Sequence, residues 1–266
     1  MGLVSDASSV GDRQIDGEGT PERLWRAWDG LAALPSVSLA ELAPASARVV
    51  IVAPHPDDEV LACGGMLSLL ARAGRRVLVV AVTDGEASHP GSSRWPPPLL
   101  ARRRREEREL GLERLGLSAP QSTLVALGLP DGGVARSHEA LVSALSDHIA
   151  PGDAVFATWR LDGHPDHEAT GRAAAAAAAA RGASLREVPV WTWHWARPAD
   201  PRVPWARMRR LALDATARDR KSRAIAAHGT QLAPSPEVGR AAVLPDWALA
   251  RLLRPFEVFI EPESAT

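Results

Sequence analysis

The chain has 266 residues, 45% of them hydrophobic and 24% charged, which supplies a packed core and excludes a disordered or fibrous protein. Lys+Arg 31 against Asp+Glu 32 leaves a formal net charge of -1, without the broad positive field that would hold nucleic acid or an anionic membrane. The single cysteine, Cys63, can form neither an internal disulfide nor a thiolate cluster, so any metal site must use histidine and carboxylate.

The first residues carry neither a basic nor an apolar stretch, so no secretory leader is read there. Apart from the alanine-rich segment, no apolar run approaches the ~18 residues of a membrane span, and the reading is a cytoplasmic protein. Residues 1 to 19 are polar and aperiodic and are expected to be a mobile tail, with a single domain over 20 to 266. Thr20 and Pro21 open a helix that carries Leu24, Trp25, Trp28 and Leu31 at helical spacing. Arg48 to Ala53 is a β-branched run of the kind buried on both faces of a sheet. Glu59 to Arg72 follows as a helix stopped by Gly74, and Val77 to Val82 as a second strand. Such a βαβ unit favours a parallel sheet covered by helices.

Residues 87 to 98 are broken by Pro and Gly and form a loop. Helices are expected over 99 to 116, 137 to 149 and 168 to 181, and strands over 122 to 126, 154 to 158 and 188 to 195. The third of these helices contains eight consecutive alanines, Ala173 to Ala180, the strongest helix former available. In the last strand Trp191, Trp193 and Trp195 would share one face, for core packing or for stacking on a sugar. The fold class is therefore α/β, a Rossmann-like three-layer sandwich with a mostly parallel central sheet.

Two clusters carry the chemistry. His55-Pro56-Asp57-Asp58-Glu59 sits directly after the first strand, where parallel sheets bind ligands, and His55 and Asp58 can point together at one divalent metal. Asp162-Gly163-His164-Pro165-Asp166-His167-Glu168 follows a later strand in the same way, and His167 completes a His-Asp-His set. Three protein ligands leave an open position, as catalytic zinc requires, and such a metal polarises a carbonyl and lowers the pKa of water from ~15.7 toward ~7. That is hydrolytic chemistry. No G-x-G-x-x-G follows the first strand, which argues against a dinucleotide site.

These stretches, APHPDDEVLACGG at 53–65 and DGHPDHEATG at 162–171, resemble the PIG-L/LmbE-like deacetylases, zinc hydrolases that remove acetyl groups from N-acetylglucosamine conjugates. TDGEAS at 83–88, LGL at 115–117, GLPDG at 128–132 and KSRAIAAHGTQ at 221–231 agree in the same order. The resemblance implies zinc, or another divalent transition metal, on His55, Asp58 and His167. It implies Asp57 as general base, later returning its proton to the leaving amine, and His164 as oxyanion stabiliser with Asp166 orienting its ring. It places Arg104 at the pocket rim as a substrate contact, although the run Arg102 to Arg105 also reads as a solvated basic face. Asp131 would bind sugar hydroxyls, or simply serve a tight turn. His228 would support Gln231 structurally, and Cys63 would be a packing residue. The implied partner is a small amino-sugar or related amide, with no nucleic acid and no membrane span; oligomeric state is not legible. Alternatives are an amide or acyl hydrolase that tailors a natural product or small thiol, and a non-catalytic binding module on the same fold.

Overall fold

The computed structural model describes residues 13–263. Seven strands form one sheet: β1 (Val49–Ala53), β2 (Val77–Thr83), β3 (Ser122–Leu129), β4 (Ala154–Thr158), β5 (Ser184–Val188), β6 (Met208–Ala212) and β7 (Phe256–Ile260). Their order is β3-β2-β1-β4-β5-β7-β6, parallel from β3 through β5, with β7 antiparallel to both of its neighbours. Five longer helices cover it: α1 (Asp58–Arg72), α2 (Pro97–Leu115), α3 (His138–His148), α4 (Pro165–Arg181) and α5 (Ala215–Ile225). The expected α/β sandwich with a mostly parallel sheet is what the chain forms.

Period-two alternation sorts the sheet into two cores. Val49 and Ile51 of β1 pack with α1, α2 and α5, whereas Val50 and Val52 pack with α3 and α4. In α4 the alanine run buries Ala173, Ala174, Ala177 and Ala178 on one helical face. That face lies close to the sheet because Gly171 has no side chain, and a Cβ there would fall 2.4 Å from the Thr158 carbonyl oxygen. A third cluster joins Trp25, Trp159 and Trp193 to Met208, Val258 and Ile260 on the antiparallel side.

Two expectations change. The segment 188 to 195 is not a strand: β5 ends at Val188, and Thr192–Trp195 is a helical turn. The Asp162 carboxylate accepts from the amides of Val190, Trp191 and Thr192 and bends the chain there. The three tryptophans then separate. Trp193 packs edge-on against Trp25, Trp195 stacks on Trp159, and Trp191 lines a pocket. The sheet also gains β6 and β7 beyond the alternation read from sequence, and Glu257 of β7 accepts the amides of Gly65 and Met66 and the buried Lys221 at 2.7 Å.

The part of the expected tail spanning 1 to 12 lies outside the described residues. From Arg13 onward the chain is held against the domain: Arg13 pairs with Glu168 at 3.0 Å, Thr20 Oγ1 donates to the Ala196 carbonyl, and the Glu18 carbonyl accepts from Arg251. Among the described residues no helix is long and apolar enough to cross a membrane.

Candidate active site

Strand order reverses between β1 and β4, which pair from Val49↔Ala154 to Val52↔Ala157. Loops leaving such a pair diverge at their carboxyl ends and open a crevice. The turn after β1 brings His55, Asp57 and Asp58 there, and the turn after β4 brings His164 and His167. All five line one cavity of about 280 Å³, with Arg104, Asp131, Leu61, Ser88, Trp191, Gln231, Val243 and Leu244.

Asp58 is the meeting point. Its Oδ2 lies 3.1 Å from His55 Nδ1 and 3.2 Å from His167 Nε2. His164 stands beside both rings, at centroid distances of 4.9 Å from His55 and 4.8 Å from His167. Ligand atoms of His55, His164 and His167 fall within 4.8 Å of one another, a group that can hold a metal ion. The donors fit a divalent cation on charge as well. Although burial opposes it, contacts to Asp131, Asp166 and Asp58 raise the His55 pKa well above its ordinary value. His167 is likewise raised, to about 9, by Asp58 and Asp162 in spite of its burial. Carboxylates around the two imidazoles thus demand positive charge, which protons supply until a cation displaces them.

The remote nitrogens of both rings are anchored. His55 Nε2 faces Asp131 Oδ1 at 3.2 Å and Asp166 Oδ2 at 3.4 Å, and His167 Nδ1 meets Asp162 Oδ2 at 2.8 Å. This places two residues differently from expectation. The Asp166 carboxylate does not orient the His164 ring; it turns to His55 and accepts the amides of Gly132 and Val134, because the 130–134 turn closes over it. The Asp166 amide is what donates to His164 Nδ1, at 3.2 Å, which leaves Nε2 to carry the proton of the neutral ring. Burial and the neighbouring His167 and His55 push the His164 pKa down to about 3, so the ring is neutral. Asp131, besides facing His55, accepts the Ala87 amide at 2.8 Å and lines the cavity.

Arg104 is not at the rim. It is 3% exposed, and the run around it is a stripe in which Arg104, Glu107 and Arg108 point inward while Arg102, Arg103 and Arg105 face solvent. Its Nη2 meets Asp57 Oδ2 at 3.0 Å and the Pro56 carbonyl at 3.1 Å, and its Nη1 donates to the Gly85 carbonyl at 2.9 Å. Gly85, at φ 67°, is required there, since a Cβ would lie 2.0 Å from Nη1. Asp57 itself has φ 152°, strained for a residue with a side chain, and Arg104 grips that turn on both sides. Burial raises the Asp57 pKa to about 6 against the pull of Arg104. Glu107 accepts from the amide and hydroxyl of Thr230, and so holds Gln231 at the cavity. His228, expected as support, lies buried under Gly111, with both ring nitrogens unpaired among the described residues.

Sequence reasoning missed Asp162 as the partner of His167, and it placed Trp191 on a strand face, for core packing or for stacking on a sugar, rather than beyond the end of a strand. A carboxylate five residues before a candidate ligand histidine was the signal for the first. For the second, Pro189 after the strand was the signal that it ends early. Cys63 is buried and its thiol is pushed well above the ordinary range by burial, as befits a packing residue.

The site is thus a crevice at the switch point of an α/β sheet, walled by His55, His164, His167 and the carboxylates of Asp57, Asp58 and Asp131, in which the three histidines form a group that could hold a metal ion. The chain matches the PIG-L family model, described as GlcNAc-PI de-N-acetylase, over residues 50–178. It is 30% identical over 136 residues to a 2'-N-acetylparomamine deacetylase of Streptomyces fradiae, covering 45% of this chain and 48% of that protein. The chain thus spans about half the length of that curated relative. It is similar to a conserved protein of Thermus thermophilus, with TM-score 0.57 and 25% identity over 83% of this chain and 96% of the other. It is equally similar to an antimicrobial pseudoaglycone deacetylase, with TM-score 0.57 and 25% identity over 80% and 96%.

Proposed function

We propose that the protein is a zinc-dependent N-deacetylase, hydrolysing the N-acetyl group of an amino-sugar conjugate to acetate and a free amine. The observation that carries this reading is that Asp57 and His164 line one cavity together with His55, Asp58 and His167. His55, Asp58 and His167 would hold the metal, which when bound polarises the carbonyl and acidifies water. Histidine and carboxylate donors without thiolate suit zinc in a catalytic site.

The chain's own groups do the rest. Asp57, with a pKa of about 6, takes a proton from the attacking water as its oxygen bonds the acetyl carbon. The same carboxyl returns that proton to the nitrogen as the carbon–nitrogen bond breaks. His164, neutral and protonated on Nε2, donates to the carbonyl oxygen as negative charge develops there. Arg104 holds Asp57 in register. Leu61, Trp191, Val243 and Leu244 form an apolar wall suited to the acetyl methyl and to the C–H faces of a sugar ring.

Two of the similar proteins are by name deacetylases of an acetylated paromamine and of an antimicrobial pseudoaglycone, which supports an amino sugar within a natural product as the substrate class. The test is amine release by the zinc-loaded protein from a panel of N-acetylglucosamine conjugates, N-acetylated aminoglycosides and acylated glycopeptide aglycones. Release from none of them would refute the deacetylase reading and leave a binding module.

A further inference from the structure

We propose that Asp162 is a positioning residue with a double duty: it presents His167 Nε2 to the metal and, through the same carboxylate, sets Trp191 in the pocket wall. The proposal rests on the metal reading above. Asp162 is 0% exposed and accepts five hydrogen bonds, one more than the roughly four lone-pair sites of a carboxylate, so both oxygens are saturated. Oδ2 accepts from His167 Nδ1 at 2.8 Å and from the Trp191 amide at 2.9 Å. Oδ1 accepts from the amides of Val190 and Thr192, each at 2.9 Å, and from the Thr192 hydroxyl at 2.6 Å. Its own carbonyl accepts from Trp195 Nε1 at 2.8 Å.

An ionised carboxylate only accepts, so every one of these partners must donate. His167 must therefore keep its proton on Nδ1, so that when a cation displaces the other proton the lone pair freed is on Nε2, the nitrogen 3.2 Å from Asp58 Oδ2. The tautomer that can ligate is the one Asp162 enforces. The three amides it gathers are those of the 190–192 turn, so the same contact ends β5 and carries the Trp191 ring to the cavity. Metal ligand and substrate wall thus share one anchor.

Asp162→Asn keeps the shape and breaks this logic. Wherever the amide places its NH₂, a donor faces a donor: on the Oδ2 side it opposes the Trp191 amide and drives the His167 proton to Nε2; on the Oδ1 side it opposes Val190 and Thr192. The expected result is zinc affinity lowered about 10–100-fold in competition with a chelator, with KM raised as well through Trp191. Thr192→Val removes only the hydroxyl bond on Oδ1 and should keep wild-type zinc affinity. Nitrogen-15 NMR of histidine-labelled, zinc-loaded wild-type protein provides a readout that needs no variant: His167 should carry its proton on Nδ1. A His167 ring protonated on Nε2 overturns the proposal, as does an Asp162→Asn protein that holds zinc as tightly as wild type. Wild-type protein that retains no zinc would overturn the metal reading itself, and this proposal with it.

Discussion

Arg104→Ala separates two roles that one arginine can play, because a rim contact and a buried partner of Asp57 fail differently. In the structure the guanidinium is 3% exposed and meets Asp57, the Pro56 carbonyl and the Gly85 carbonyl within 2.9–3.1 Å. Truncation leaves a buried carboxylate and two carbonyls without their donor, and breaking a buried pair in this way costs about 3–5 kcal/mol. In a chain of this size each kcal/mol shifts the melting temperature by about 2–4 °C, so a fall of about 6–20 °C is expected. The neighbouring Arg105 supplies the control. Its pair with Asp84, at 2.5 Å, involves an arginine side chain 46% exposed, and such pairs contribute only ~0–1 kcal/mol. Calorimetric melting of both variants, alongside steady-state kinetics, makes the comparison. Because Arg104 also restrains the strained Asp57 backbone, kcat should fall more than KM rises. An Arg104→Ala protein that melts with Arg105→Ala and changes KM alone would refute this account and return Arg104 to the substrate.

Three further outcomes follow from the same geometry. Asp57→Asn should retain metal by elemental analysis after dialysis while the rate drops at least ~10²-fold; loss of metal would make Asp57 a ligand. His164→Ala should keep its metal and a near-native KM while kcat falls ~10²–10³-fold, as on losing one oxyanion donor; normal kcat would remove it from the transition state. His228, which lies outside the group around Asp58, is one pH-sensitive element of stability. Burial, then the nearby Arg104 and Arg108, depress its pKa to about 3, Arg114 adds to this, and Asp58 opposes it. The unfolded chain takes up a proton below ~6.5 that the folded chain refuses until about 3, so stability is lost as pH falls through that window, by up to ~1.4 kcal/mol per pH unit. Urea titrations from pH 4 to 7 should show a shallower dependence in His228→Gln, and an identical slope would contradict the buried neutral ring.

Much of the site was legible in the residues because its parts are local. A β-branched run ending at Ala53, followed at once by His55, Asp57 and Asp58, needs only strand alternation and a turn to bring those groups to a sheet's carboxyl end. The repeat of that arrangement after Thr158 brings His164 and His167 to the neighbouring position. Which partner each group finds was not local. Asp131 and Asp166 reach His55 only because β3 and β4 flank β1 and β2 in this strand order, and Asp162 reaches the 190–192 amides only because β5 lies beside β4. The same holds for Arg104, which sequence shows as one of four consecutive arginines. The phase of α2 against α1 decides that this one is buried beneath Asp57. Alternating tryptophans spell a strand until a carboxylate some thirty residues earlier captures the backbone amides of Val190, Trp191 and Thr192 and turns the chain. Residue pattern along the chain was enough to set the layered α/β class and the histidine and aspartate groups of the site. Their hydrogen-bond partners came from packing, since a side chain's protonation and aim depend on neighbours that only the assembled sheet brings within about 3 Å.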